Sequence, residues 1–273
     1  MILRRITLHD VGAVDQFEYG FENVYTVVKS RYTNEISYAI RLVLGHRVPP
    51  LPESWARGDT KIEALVSIAG EAYRLVFQRG KKQKNPCLRA YDGRGNDVTG
   101  AYFYLVSHCA EQDLSEAFDG DADKVPFRLA QYIAEDRYDD SKELSWCTER
   151  MMGTKFFRSY VRSFVKDFQP EPIHAGKRYE LQMEVNGRYI VRYKDDSDAP
   201  VFLSESEQTL FRYLCFLRTA EFWHGFEEIR NLNCVKKPIL VENFLEKLDE
   251  SVDTSDLVRR STQLNRQIIM LTT

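Results

Sequence analysis

The sequence lacks several features that would place the protein in a specialised class. Its five cysteines are scattered and odd in number, and no two of them form a Cys-x-x-Cys pair, which argues against a disulfide framework and a zinc site. No apolar run reaches the roughly 18–20 residues that a membrane-spanning helix needs. The first residues also contain no apolar core of signal-peptide length. These absences predict a cytoplasmic protein that makes no contact with a membrane.

The chain also lacks a large excess of charge of either sign. Its formal net charge is −3, which argues against a protein whose whole surface binds nucleic acid and leaves room for a local basic patch. Heptad runs, internal repeats and flexible linkers are absent as well. Because 43% of the 273 residues are hydrophobic, the sequence predicts one domain, spanning 1–273, with a sizeable core.

Strand and helix patterns are mixed along the chain. Alternating or continuous apolar residues bounded by turn-forming residues indicate strands. The predicted strands lie at 2–8, 21–28, 88–105, 238–241 and 268–271, and the predicted hairpins lie at 60–80 and 179–193. Apolar residues recur at helical spacing from Glu35 and stop at Gly45, and a second apolar helix begins near Leu203. The segment at 110–168 favours helices, so the sequence predicts an α/β architecture with a helical insertion.

The N-terminal stretch resembles the opening of the SMC, RecF and related DNA-repair ABC ATPases. In that family a first strand is followed by an Asn-Val strand, a phosphate-binding loop of the form GxxxxGK[ST], and a helix that ends near Ala-Ile-Arg. Here Asn23-Val24 and Ala39-Ile40-Arg41 fall at matching places without a gap. This register assigns a residue of the chain to each position of the loop.

The positions that bind nucleotide in that family carry other residues here. The two glycines fall on Val27 and Tyr32, the lysine falls on Thr33, and the serine or threonine falls on Asn34. The glycines let backbone N–H groups converge on phosphate oxygens, and the lysine and hydroxyl bind phosphate and magnesium. Glu35 adds a negative charge in the first helical turn, where it would repel a phosphate. We expect Thr33 or Asn34 to cap the helix instead.

The C-terminal third contains a second set of motifs that supports the resemblance. The segment at 203–208 is similar to the LSGGE-type signature, with Ser204 kept and Glu205 standing where the partner's γ-phosphate normally lies. The segment at 238–249 is similar to the Walker B strand and the D-loop. Glu242 replaces the magnesium-side aspartate, Asn243 replaces the residue that polarises water, and Asp249 matches the D-loop aspartate. The amide of Asn243 cannot accept a proton at neutral pH.

Two further segments follow the order of motifs in that family. The stretch at 267–273 is similar to the strand that leads to the switch histidine, and the stretch at 104–108 falls near the Q-loop, so that His108 stands in for its glutamine. The resemblance therefore implies an ABC-ATPase-like head with the P-loop NTPase fold. We expect a mixed central sheet, an antiparallel β portion and a helical lobe at 110–168 within the same domain.

The loss of the motifs implies a pseudo-ATPase, a head that hydrolyses nothing and uses no cofactor, catalytic residue or metal. The resemblance implies a binding or regulatory subunit that dimerises or joins a protein partner. The settings that the resemblance suggests are DNA repair, chromosome maintenance and defence against foreign DNA.

Two other functions remain open. One is a DNA-binding protein that keeps the fold as a scaffold and contacts phosphates through basic clusters, although such charges also suit an ordinary solvated surface. The residues assigned to these contacts are Arg79, Lys81, Lys82, Lys84, Arg158 and Arg162. The other is a weak nucleotide-binding enzyme that would use Lys29, Arg31 and Glu242.

Overall fold

The structure is a computed structural model. It describes residues 1–46, 48, 50–79, 87–106, 137–139, 179–183, 189–193, 205–206, 209–210, 213, 216–217, 235–249 and 266–273. The chain divides into two compact units. Met1–Cys109, Glu227–Val241 and Ser261–Thr273 form the first, and Ala110–Phe226 and Glu242–Arg260 form the second. The single domain at 1–273 with a helical lobe at 110–168 stays a prediction, and most of that lobe lies outside the described residues.

The described part of the chain contains both strands and helices. The strands are β1 (Ile2–Val11), β2 (Val14–Gly20), β3 (Tyr25–Lys29), β4 (Ala56–Ile68), β5 (Glu71–Arg79), β6 (Leu88–Tyr91), β7 (Arg137–Asp139), β8 (Tyr179–Met183), β9 (Tyr189–Tyr193), β10 (Ile239–Glu242) and β11 (Ile268–Thr272). The α-helices are α1 (Thr33–Val43) and α2 (Thr99–Val106), and short 3-10 helices span Glu53–Trp55 and Leu245–Lys247. Among the described residues, no helix is both long and apolar enough to cross a membrane.

An antiparallel sheet in the order β2-β1-β4-β5-β6 forms one layer of the first unit. In β1 the side chains of Ile6 and Leu8 are completely buried, whereas Thr7 and His9, which alternate with them, are partly exposed, as the period of a strand requires. The hairpin predicted at 60–80 is confirmed, because β4 and β5 pair on either side of Ala69 and Gly70. Both turn residues have positive φ angles.

The N-terminal strand prediction was wrong in one respect. The second strand was expected at 21–28, but β3 begins only at Tyr25, and the unpredicted strand β2 precedes it. β2 follows β1 through a tight turn that uses the positive φ angle of Gly12, 58°. The outer side chains of β2 are polar, so its apolar alternation is weak in the sequence.

Three strands lie side by side elsewhere in the first unit, in the order β3-β11-β10. β11 is parallel to β3, with Ile268 opposite Tyr25 and Thr272 opposite Lys29. All five residues of β11 are buried. A strand buried on both faces reads as a continuous apolar run, which is why the runs at 238–241 and 268–271 were predicted correctly.

The sequence predicted one of the two α-helices correctly and missed the other. α1 is confirmed and stops before Gly45, whose φ angle is 71°. The β segment predicted at 88–105 was wrong beyond β6, because α2 begins at Thr99. The Oδ1 atom of Asp97 accepts hydrogen bonds from the N–H of Thr99 at 3.0 Å and from its hydroxyl at 2.6 Å, which stabilises the start of the helix. The apolar residues of TGAYFYLV show no clear period, so the pattern favours neither a strand nor a helix.

In the second unit, β8 and β9 form the hairpin that the Asn-Gly pair predicted. Tyr179 lies opposite Tyr193 and Met183 lies opposite Tyr189, which centres the hairpin on position 186. The described residues of the predicted helix after Leu203 are helical. They are Glu205, Ser206, Thr209, Leu210, Tyr213, Phe216 and Leu217.

Candidate functional site

The positions assigned to the phosphate loop lie at a short connection between β3 and α1. β3 ends at Lys29 and α1 begins at Thr33, so only Ser30, Arg31 and Tyr32 join the two elements. Val27, the first assigned glycine position, lies inside β3 opposite Met270 of β11. Positions 27–29 are therefore strand, and the connection is shorter than the loop that the motif describes.

Backbone N–H groups in this connection already donate to acceptors within the chain. The N–H of Ser30 donates to the carbonyl of Thr272 at 3.0 Å, and the N–H of Tyr32 donates to the hydroxyl of Ser30 at 3.1 Å. One turn further on, the N–H of Ile36 donates to the carbonyl of Tyr32 at 3.0 Å. Phosphate loops bind their ligand through such N–H groups. In this chain a phosphate would have to compete for them with internal acceptors.

The helix start differs from the expectation that Thr33 or Asn34 would cap α1. Tyr32 occupies the N-cap position and makes no side-chain capping hydrogen bond, so that prediction was wrong. Thr33 is the first residue of the helix and Asn34 the second. Their side chains therefore project from the first turn, one and two positions after the residue whose side chain could cap the helix.

Glu35 lies in the first turn of α1, as predicted, and its carboxylate contacts the turn between β1 and β2. Its Oε1 atom accepts a hydrogen bond from the N–H of Ala13 at 3.1 Å. A Cβ atom added to Gly12, whose φ angle is positive, would lie 2.7 Å from the same oxygen, so a larger residue there would displace the carboxylate. A carboxylate near a helix N-terminus is favoured by the helix dipole. Glu35 thus places an internal anion at the N-terminal end of α1.

The two cations at this end of α1 are Lys29 and Arg31, and both are exposed. The guanidinium of Arg31 lies over the ring of Tyr32, 4.7 Å from its centroid, and donates to the Tyr32 hydroxyl at 2.5 Å. A guanidinium stacked on an aromatic face is held against the protein surface. The assignment of Lys29 and Arg31 to an unconventional nucleotide site stays a prediction.

Gln267, which sequence reasoning missed, ties the start of β11 to the antiparallel sheet. The side chain is 2% exposed. Its Oε1 accepts from the N–H of Leu3 at 2.7 Å, and its Nε2 donates to the carbonyls of Leu3 at 2.8 Å and Glu22 at 2.7 Å. Gln267, just before β11, therefore bonds to β1. At the other end of β11, the last residue, Thr272, accepts the hydrogen bond from the N–H of Ser30. Only a polar residue beside an apolar run marked this position in the sequence.

Within the second unit, Glu242 forms an ion pair with Arg137. The Nε atom of Arg137 donates to Oε2 of Glu242 at 2.5 Å, and the two side chains are 16% and 13% exposed. Tyr138 and Phe244, which flank this pair in sequence, have ring centroids 6.0 Å apart and belong to one aromatic cluster. Sequence reasoning missed Arg137, because it lies in a stretch without a recognisable motif.

The remaining assigned positions of the second unit lie near the ends of its elements. Glu205 is exposed, and the neighbouring Ser206 is buried, where its hydroxyl accepts a hydrogen bond from the N–H of Asp249 at 2.9 Å. Asn243 is exposed and has a φ angle of 53°, a conformation that asparagine adopts more readily than most residues. Seven assigned residues lie outside the described part of the chain. They are Lys81, Lys82, Lys84, His108, Arg158, Arg162 and Ser204.

Comparison with known proteins gives the fold. No protein-family model matches the sequence, and no curated protein matches it. The solved SMC head domain from Thermotoga maritima is similar at a TM-score of 0.50 and 14% identity, over 100% of this chain and 89% of that chain. The chain is similar in fold to an SMC head. This confirms the coarse prediction of a mixed α/β architecture.

Two other solved structures show weaker similarity. One is the Smc head domain from Pyrococcus furiosus, bound to the C-terminal domain of ScpA, with a TM-score of 0.49, 11% identity and coverage of 99% of this chain and 89% of that chain. The other is the recombination mediator protein RecF with ATP, with a TM-score of 0.45, 12% identity and coverage of 99% and 93%. At these identities the similarity concerns the fold and carries no ligand or activity to this chain.

Proposed function

We propose that the protein is a non-hydrolysing head of the SMC and RecF type that acts as a binding or regulatory subunit. The observation that carries this proposal is the β3–α1 connection. Two of its N–H groups, those of Ser30 and Tyr32, donate to internal acceptors, and Glu35 places a carboxylate in the first turn of α1. A nucleotide phosphate would have to displace the internal acceptors from these N–H groups, and the Glu35 carboxylate would repel it.

The residues at the assigned magnesium and catalytic positions also fit a magnesium nucleotide poorly. Thr33 lacks the charge of a phosphate-binding lysine. Asn243 lacks a group that could take a proton from water at neutral pH. The carboxylate of Glu242 is engaged by Arg137, so a cation would meet a positive charge there. Among the described residues, no group of three or more His, Cys, Asp or Glu side chains is arranged to hold a metal ion.

The proposed role is binding, as a dimer or with another protein. The structure of the P. furiosus head contains the C-terminal domain of ScpA, and RecF is described as a recombination mediator in the RecFOR pathway. By analogy, we place this chain in the cytoplasm, in DNA repair, chromosome maintenance or defence against foreign DNA. The analogy rests on fold alone.

Calorimetric titration of the full chain with a slowly hydrolysed ATP analogue and magnesium tests the proposal. We expect no saturable heat up to about 1 mM nucleotide, a limit that corresponds to roughly −4 kcal/mol of binding free energy. An SMC head domain in the same buffer is the positive control. Micromolar, magnesium-dependent binding would overturn the proposal. If the protein also hydrolysed ATP, and Glu242→Ala abolished that hydrolysis, the protein would be an enzyme with an unconventional site.

A second candidate function, DNA binding on the fold as a scaffold, is supported by the exposed face of β5 and β6. Arg74 and Arg89 are exposed there, and the Arg74 guanidinium lies 5.6 Å from the centroid of the Tyr91 ring on the neighbouring strand. Exposed arginines beside an aromatic ring suit contacts with phosphates and bases. Arg79 contributes less, because it is half-buried and donates to the carbonyl of Leu51 at 3.2 Å.

Fluorescence anisotropy with a labelled duplex tests this second function. Replacing both Arg74 and Arg89 by alanine should weaken binding and reduce its salt dependence by about two units of slope. Arg31→Ala is the control, because Arg31 is also exposed but lies in the β3–α1 connection and not on this sheet. Binding that is insensitive to salt, or an equal loss in the control, would count against DNA recognition by this face.

A further inference from the structure

The Arg137–Glu242 ion pair is built into the second unit rather than formed by two mobile surface side chains. Both side chains are largely buried, and the Nε atom of Arg137 makes a short, direct hydrogen bond to Oε2 of Glu242 in which both partners are charged. A half-exposed pair such as Arg5–Glu18, at 3.5 Å, has neither property.

Aromatic packing holds the backbone on both sides of this pair. Tyr138 follows Arg137 directly, is completely buried, and contacts the rings of Tyr213 at 5.3 Å and Phe244 at 6.0 Å. Phe244 follows Glu242 by two positions and packs on Tyr213 at 4.4 Å. Because these rings fix both backbones, the guanidinium and the carboxylate meet without large losses of side-chain freedom.

We infer that Arg137 is a resident counter-ion of Glu242 and occupies the space in which the carboxylate would otherwise bind a divalent cation. This inference deepens the proposed function and rests on it, since a carboxylate with a built-in cation needs no metal. A magnesium ion brought to the same oxygen would face the full charge of the guanidinium at a distance of a few ångströms. The pair therefore excludes the metal by charge and by space, and Arg137 is the residue that determines this exclusion.

Titration of the full chain with Mn²⁺, followed by electron paramagnetic resonance of the free ion, tests the inference. The wild type should show no binding that depends on Glu242, and its isotherm should match that of Glu242→Gln. Arg137→Met keeps the length of the side chain and removes its charge, and it should bind Mn²⁺ at least about tenfold more tightly. Arg137→Lys keeps the charge and should behave as the wild type does. Adding Glu242→Gln to Arg137→Met should abolish the new binding.

Three results would overturn the inference. One is Mn²⁺ binding by the wild type that Glu242→Gln removes, because metal and guanidinium would then share the carboxylate. Another is a folded Arg137→Met protein, by circular dichroism, that gains no binding. If Arg137→Met does not fold, the comparison of wild type with Glu242→Gln still decides. The third result is Mn²⁺ binding by Arg137→Lys as tight as that by Arg137→Met. Nucleotide binding in calorimetry with an unchanged Mn²⁺ isotherm would refute the proposed function alone.

Discussion

Replacing Gln267 by methionine should loosen the junction between β11 and the antiparallel sheet. Methionine keeps the length of the side chain and removes all of its hydrogen-bonding groups. The N–H and carbonyl of Leu3 would lose their Gln267 partners, and Leu3 is completely buried. The carbonyl of Glu22 would lose one as well, but Glu22 is exposed, so water can replace the amide.

The expected loss of stability follows from these three contacts. A buried polar group left without a partner costs about 1–3 kcal/mol, and a hydrated one costs about 0.5–1.5 kcal/mol. Two buried groups and one hydrated group give a destabilisation of about 2.5–7.5 kcal/mol. This is a large share of the roughly 5–15 kcal/mol that stabilises a typical domain.

Hydrogen exchange and urea unfolding measure this effect together. Because the chain has two compact units, a single unfolding free energy is a poor measure, and exchange reports the first unit separately. The amide of Leu3 should exchange faster, and so should the amide of Ser30, because Thr272 accepts its hydrogen bond from the far end of β11. Gln16→Met, on the exposed face of β2, is the matched control. A loss below about 1 kcal/mol, or unchanged exchange at Leu3, would refute the reasoning.

Two further predictions concern the contact between α1 and α2. Gly45→Ala should lower the free energy of unfolding by about 1–3 kcal/mol, because the φ angle of Gly45 is positive and a Cβ atom would lie 2.7 Å from Val106. Gly70→Ala is the control, because Gly70 also has a positive φ angle but lies in open space. Equal urea midpoints for the two variants would exclude a contribution from packing against Val106. Burial raises the pKa of Tyr102, so the stability it contributes is complete below about pH 10 and is lost above it by about 1.36 kcal/mol per pH unit. Tyr102→Phe should reduce this alkaline slope and lose about 1 kcal/mol at neutral pH, where the hydroxyl donates to Val43. Urea midpoints from pH 7 to 11 measure both, and an unchanged slope would contradict the assignment.

Those parts of the fold that depend on local patterns could be predicted from the sequence. α1 and the hairpin at 60–80 follow from periodicity and turn residues, and the buried strands β10 and β11 follow from their apolar runs. α2 was missed because TGAYFYLV has no clear helical period. The hydrogen bond that the Asp97 carboxylate accepts from the N–H of Thr99, and the contact of Tyr102 with Val43 at the end of α1, favour the helix. β2 was missed because it is an edge strand with polar outer residues.

The candidate site could be predicted in its assigned positions but not in its contacts. The register of the N-terminal motif located Tyr32, Thr33 and Asn34 at the start of α1, and Glu35 in its first turn. It did not indicate that Val27 lies in a strand or that the connection is short. The partners of Gln267 and Glu242 are 264 and 105 residues away in the chain, and no single sequence carries a local signal for such pairs.

The same contacts show how the chain satisfies polar groups at the assigned positions from within. A ligand that binds the native state stabilises it, whereas internal contacts stabilise a fold without one. The carbonyl of Thr272 accepts from the N–H of Ser30, and the carboxylate of Glu35 supplies the anion at α1. In the second unit, the guanidinium of Arg137 neutralises Glu242. Under the proposed function, a head with such internal contacts would keep its stability without a ligand, which a subunit that only binds partners requires.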